Sequence, residues 1–246
     1  MFKKLLASVG IGAAKVDTLI LSETLVPGET MLIEIVIEGG DVPQTINGLE
    51  LSLMTMAEVE HEGGESRQPV RLHHWHLDDR FTVEANERRS ERFELTLPLE
   101  TPITALRCTR GFSEVWLETG LDIAQGLDGR DHDPLRIAPT AAMSQVLAAV
   151  EACGFELYST DVEQGQLRGP NFASSLGCYQ ELEFRPTGMG AMRVKEVEVS
   201  FVAQPGVTHV MLEVDRRFAG DSLRCFVVPE GASDSEVAMS VRQILG

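Results

Sequence analysis

Polar and apolar residues alternate with a period of two over much of the chain. Ile33, Ile35 and Ile37 are separated by Glu34 and Val36 and followed by Glu38, the pattern of a strand with one buried and one wet face. Gly39-Gly40-Asp41 ends that run. Leu49, Leu51 and Leu53 alternate with Glu50 and Ser52, and Phe93, Leu95 and Leu97 alternate with Glu94 and Thr96 before Pro98. The second half repeats the rhythm: Leu182 and Phe184 against Glu181 and Glu183, Val197, Val199 and Phe201 against Glu196, Glu198 and Ser200, then Val210, Leu212 and Val214. Short alternating strands between Gly and Pro turns, with no helices interposed, predict antiparallel sandwiches and argue against a parallel α/β sheet. The expected fold is mainly β, with two tandem immunoglobulin-like sandwich domains.

Two segments follow a different period. Met143, Val146, Leu147 and Val150 fall at i, i+3, i+4 and i+7 behind Thr140, a candidate N-cap, with Gly154 as a stop signal. They predict an inter-domain helix at about 141–153. Ser233 and Glu236 have capping-box spacing ahead of Val237, Val241, Ile244 and Leu245, which predicts a closing helix. The segment Asp122 to Pro139 is rich in Asp, Gly and Pro and separates the strand-rich halves. The expected domains are 1–139 and 140–246, a division suited to a chain of 246 residues.

Composition narrows the function. The net charge is −17, both halves are acidic, and the lysines are confined to Lys3, Lys4, Lys15 and Lys195. With no basic block, a nucleic-acid partner is not expected. Cys108, Cys153, Cys178 and Cys225 form no CxxC pair, so reduced core thiols are expected rather than a zinc or redox motif. Lys3 and Lys4 before the small-apolar run Leu5 to Ala14 have the order of a secretory signal, but Ser8, Gly10 and Gly12 interrupt that run. No stretch of 18 apolar residues occurs, so no transmembrane helix is expected.

Chemistry-bearing clusters are few. In His73-His74-Trp75-His76, a strand would put His74 and His76 on one face, where two imidazoles suit a divalent metal if a third ligand such as His61 or a carboxylate is near. The competing reading is a polar strand face with Trp75 and Leu77 packed inward, and it is the preferred one. Asp128, Asp131 and Asp133 do not match the spacing of a calcium loop. They are read as turn formers, or as one side of an ionic latch to Arg216 and Arg217 across the domain boundary. No G-x-S-x-G elbow or phosphate-binding glycine loop is present. No catalytic residue or cofactor is expected.

The stretch from Leu5 to Thr18, Pro27-Gly28-Glu29 with Glu38-Gly39-Gly40, Val115-Trp116-Leu117-Glu118-Thr119-Gly120-Leu121-Asp122, Asp131-His132-Asp133-Pro134-Leu135 and Glu213-Val214-Asp215-Arg216-Arg217 together resemble the bacterial sporulation-control protein family of the arrestin-like group. The resemblance implies two arrestin-like sandwiches, with the apolar start as the first edge segment. It also implies a cytoplasmic setting and noncatalytic regulation of development or cell division through a protein partner, with homo-oligomers allowed. It brings no catalytic residues. The alternatives are a metal-dependent enzyme using His74 and His76, and a weak peripheral membrane binder using Phe2, Lys3, Lys4, Leu5 and Leu6.

Overall fold

The computed structural model describes residues 12–61, 63–77, 80–124, 129–187, 194–217 and 220–245. In chain order the elements are β1 (Lys15–Ile20), β2 (Thr30–Glu38), β3 (Gln44–His61), β4 (Gly64–Leu77), β5 (Phe81–Val83), β6 (Arg88–Thr96), β7 (Val115–Ile123), β8 (Gly129–Pro134), α1 (Ala141–Ala152), β9 (Phe155–Gln164), β10 (Cys178–Pro186), β11 (Val194–Gln204), β12 (Val207–Arg216), β13 (Gly220–Pro229) and α2 (Asp234–Leu245). The fold is mainly β, and among the described residues no helix is long and apolar enough to cross a membrane.

The alternating runs of the first half form two sheets around one core. β1, β2 and β6 make a three-stranded antiparallel sheet with β1 at its edge. Opposite it lie β8, β7 and β3, with β4 and β5 on the far edge of β3. Ile33 and Ile35 of β2, Leu51 and Leu53 of β3, and Leu117 and Leu121 of β7 are all buried, each contributing about 1.5–3 kcal/mol by leaving water. The Gly39-Gly40 turn is tight for a steric reason: a Cβ on Gly39 would collide with the Glu84 carbonyl oxygen, and one on Gly40 with that of Gly12.

The segment 122–139, expected as a connector, contains β8, an edge strand paired along β7 from Trp116 opposite Pro134 to Leu121 opposite Gly129. Its Asp and Gly content hid a strand because edge strands tolerate polar residues that central strands exclude.

The second half is a five-stranded antiparallel meander, β9 to β13. Leu182, Phe184, Val197, Val199, Val210, Leu212 and Val214 line its inner face and are buried. Here the structure differs from a second sandwich: among the described residues the layer accompanying this sheet is helical. α1 buries Met143, Val146, Leu147 and Val150, α2 buries Val237, Val241 and Leu245, and Gln145 of α1 donates to Ala232 O at 2.9 Å and Asp234 Oδ1 at 2.8 Å. Both caps form as the residue spacing predicts. Thr140 Oγ1 accepts from Met143 N–H at 3.2 Å. Ser233 N–H donates to Glu236 Oε2 at 2.9 Å while Glu236 N–H returns to Ser233 Oγ at 3.4 Å.

One strand joins the halves. β3 pairs with β7 from Ile46 to Thr55, then runs on until Glu58 bridges Glu163 of β9 in parallel, making one ten-stranded sheet ordered β13-β12-β11-β10-β9-β3-β7-β8 along its main path. The connection between β6 and β7 also belongs to both halves. Ile103 N–H donates to Gln180 Oε1 at 2.9 Å, and Ser113 N–H to Thr160 Oγ1 at 2.9 Å.

Candidate functional site

Strand alternation sends Glu50, Ser52 and Met54 of β3 to the outer face of the first half, where they meet Arg71, His74 and His76 of β4 on one side and Glu118 and Gly120 of β7 on the other. Arg130 and His132 of β8 extend that face. Glu50, Ser52, Met54, Arg71, Glu118, Gly120, Arg130 and His132 line an open groove of about 850 Å³ on that face. Gly120 stands between Glu50 and Arg130 in register. A Cβ there would make only ordinary contacts, the nearest at 3.6 Å, so the missing side chain leaves the floor open rather than relieving a clash. One wall is firm: the Trp116 and His132 rings stack at 5.1 Å, and Trp116 Nε1 donates to Glu118 Oε1 at 3.0 Å.

His74 and His76 share that outer face. His74 Nε2 lies 3.9 Å from Glu50 Oε2 and His76 Nδ1 lies 3.8 Å from Glu50 Oε1, with the rings stacked at 6.3 Å. Trp75 and Leu77 pack inward against the core. His61 sits nine residues further along β3 than Ser52, the residue opposite His74, on the order of 30 Å away at strand rise. There it bonds Ser66 and Gln68 at 2.8 Å each. Among the described residues no group of three or more His, Cys, Asp or Glu side chains is placed to hold a metal ion.

The aspartates expected to reach Arg216 and Arg217 have other surroundings. On β8, Asp131 and Asp133 turn to the inner face, toward β1. Thr18 N–H donates to Asp131 Oδ2 at 2.6 Å, and Thr18 Oγ1 to Thr119 Oγ1 at 2.8 Å, so this cluster closes the edge where the two sheets of the first half meet. Burial, the neighbouring Asp131 and the charge of Asp17 push the Asp133 carboxyl up to about 7, and its Oδ2 is buried without a hydrogen-bond partner. Arg216 instead donates to Ile244 O of α2 at 3.3 Å. The reason is topological: β8 and β12 stand six strand steps apart in the sheet, on the order of 29 Å at about 4.8 Å per step. Asp128 lies outside the described residues, as do Phe2, Lys3, Lys4, Leu5 and Leu6.

The outer face of the second half has a different chemistry. Glu183 stands opposite Glu198, and Glu198 opposite Glu213, across three neighbouring strands. Asp161 stands opposite Glu181. Burial and then the surrounding carboxylates push Glu181 and Glu163 up to about 7 and raise Asp161 and Glu198 as well. Cations stand at the margin: Lys195 Nζ reaches Glu196 at 2.9 Å and Asp215 at 2.8 Å, and Arg185 Nε reaches Glu183 at 2.7 Å. The signal in the sequence was Glu at alternate positions in successive strands, which becomes a ladder only once register is known.

Comparison with known proteins agrees with the resemblance. Residues 2–218 match the family described as SpoOM protein (Spo0M). The sporulation-control protein spo0M of Bacillus subtilis (strain 168) is 37% identical over 220 residues, covering 89% of this chain and 82% of that protein. The crystal structure of Spo0M, the sporulation control protein from Bacillus subtilis, superposes with a TM-score of 0.82 at 31% identity, covering 96% of this chain and 98% of that one.

Proposed function

Since the chain belongs to the Spo0M sporulation-control family, we propose that it is a noncatalytic cytoplasmic regulator that acts by binding a protein partner in developmental or cell-division control, with the outer groove of the first half as its docking surface. The groove carries this reading. Glu50, Glu118, Arg71 and Arg130 line it together with Ser52 and Met54, so both signs of charge, a hydroxyl and an apolar thioether face one open space. That mixture suits a polypeptide, whose own surface offers both signs. A nucleic-acid backbone would need an excess of cations. We read the two joined halves as a variant of the arrestin-like tandem plan, in which helices replace the second sheet of the second half.

Photo-crosslinking residues placed at Ser52 and Glu118 in the native cell test the proposal. The expected result is crosslinking of both positions to the same protein, abolished by Arg71→Glu together with Arg130→Glu in a variant that melts like the parent. Crosslinks that persist unchanged in that variant, or that form only from positions outside the groove, overturn it.

A further inference from the structure

β13 ends the ten-stranded sheet. β12 pairs one of its edges, and among the described residues no strand pairs the other. The β12 pairing runs without a register shift over ten residues, from Val207 opposite Pro229 to Arg216 opposite Gly220. Beyond it, Glu230 N–H donates to Gly206 O at 2.9 Å. That bond between the flanking residues makes Val207 and Pro229 a non-hydrogen-bonded pair, so even-numbered residues of β13 direct their main-chain groups to β12 and odd-numbered ones direct theirs to the open edge. Asp221, Leu223, Cys225 and Val227 therefore hold N–H and C=O groups outward. The Leu223 carbonyl is met there by the guanidinium of its neighbour Arg224 at 3.2 Å.

The same odd-numbered side chains lie on the outer face, where Leu223 and Val227 are 50% and 49% exposed on either side of Cys225. Natural sheets blunt long edges with Lys, Pro or a bulge. β13 has no Lys, no bulge, and Pro only at its last position.

We propose that β13 is the interface of a two-fold homodimer, pairing antiparallel with β13 of a second copy about Cys225. Keeping the same faces outward requires opposed residues of equal parity. Centred on Cys225, Leu223 meets Val227 of the second copy, Arg224 meets Phe226 and Asp221 meets Pro229, so apolar meets apolar on the outer face and no like charges oppose. Centring on Arg224 would oppose two guanidiniums, and centring on Leu223 or Phe226 would shorten the overlap. Charge also favours a second copy here. The chain carries −17, so most contacts between identical molecules bring carboxylates together, whereas β13 carries only Asp221 and Arg224 and has no net charge. The inference is independent of the groove on the first half.

Sedimentation equilibrium of the purified full chain tests it, with the expected mass twice the 27.0 kDa of one chain. Leu223→Glu and Val227→Lys should each weaken the dimer about tenfold, since each disturbs two symmetry-related cross-strand pairs. The double variant should recover it, because Glu at 223 then faces Lys at 227 of the second copy at both ends. Within one chain those positions lie about 13 Å apart along the strand, so recovery cannot come from self-pairing. Cys225→Pro removes an outward donor without touching the β12 ladder and should also dissociate the dimer, with circular dichroism melts confirming that each variant is folded. A monomer at every concentration, a dimer indifferent to these substitutions, or loss in both single variants without recovery in the double overturns the proposal.

Discussion

The two outer faces of the ten-stranded sheet follow the same alternation rule and reach opposite electrostatic outcomes. In the groove of the first half, the carboxylates meet cations and imidazoles: Glu50 lies between His74 and His76, Glu118 receives the Trp116 N–H, and Arg71 and Arg130 stand in the same groove. In the second half, Glu183, Glu198 and Glu213 oppose one another directly, and desolvation with repulsion from Glu198, Glu163 and Glu213 raises Glu181 to about 7, while Glu163, at the seam with the first half, is raised to about 7 by burial and by Glu58 and Glu65 of β3 and β4. What differs is the residue in register on the next strand, not the number of acidic residues on each strand. A wet face of mixed sign suits recognition, whereas a face of one sign stores repulsion that protons or added cations relieve.

Among the described residues, helices pack the inner side of the second half. Leu147→Ala should accordingly cost about 2–4 kcal/mol in denaturant unfolding, as a cavity-forming change at a buried helix position. A loss under about 0.5 kcal/mol, the range of surface changes, would mean that α1 does not support this sheet.

Raised carboxyls in both halves also make stability depend on pH in an unusual direction. Glu163, Glu181 and Asp133 have folded pKa values near 7, raised above their ordinary values, so the folded state binds more protons than the unfolded state between about pH 4 and pH 7. Their contribution is fully present below the unfolded pKa and is lost as pH rises through 7. The melting temperature should therefore rise on going from about pH 8 to about pH 6. Glu163→Gln and Glu181→Gln should flatten that slope while stabilising the chain at the upper end. A melting temperature that falls over this interval would contradict the assignment.

A charge exchange sharpens the contrast further. Glu198→Lys, placed between Glu183 and Glu213, should stabilise by about 0.2–1 kcal/mol, in the range of cross-strand ion pairs. Glu50→Lys, placed between two histidines, should give no gain. Thermal melts of the two variants at one pH settle whether register decides the sign.

The smallest effect belongs to the histidines. Replacing His74 and His76 together by Ala should change stability by less than about 0.5 kcal/mol, because both lie on a solvated face. Stoichiometric metal bound by the untagged parent and lost in that variant would instead return the pair to the role of ligands.

By itself the sequence determined what is local. Ile33 with Ile35, Leu182 with Phe184 and Val197 with Val199 announced strands because a period of two shows which side chains share a face, and Thr140, Ser233 and Glu236 announced helix starts because capping involves residues only three positions apart. Its motifs also marked the family. Tertiary structure alone decided which strand lies beside which. It turned the Gly129–Pro134 segment into an edge strand, placed Asp131 against Thr18 rather than near Arg216, joined the halves through Glu58 and Glu163, aligned the glutamate ladder and, among the described residues, left one edge of β13 without a strand partner. The physical reason is that alternation assigns a face to each residue but carries no information about register or neighbour, which are set by contacts between segments far apart in the chain.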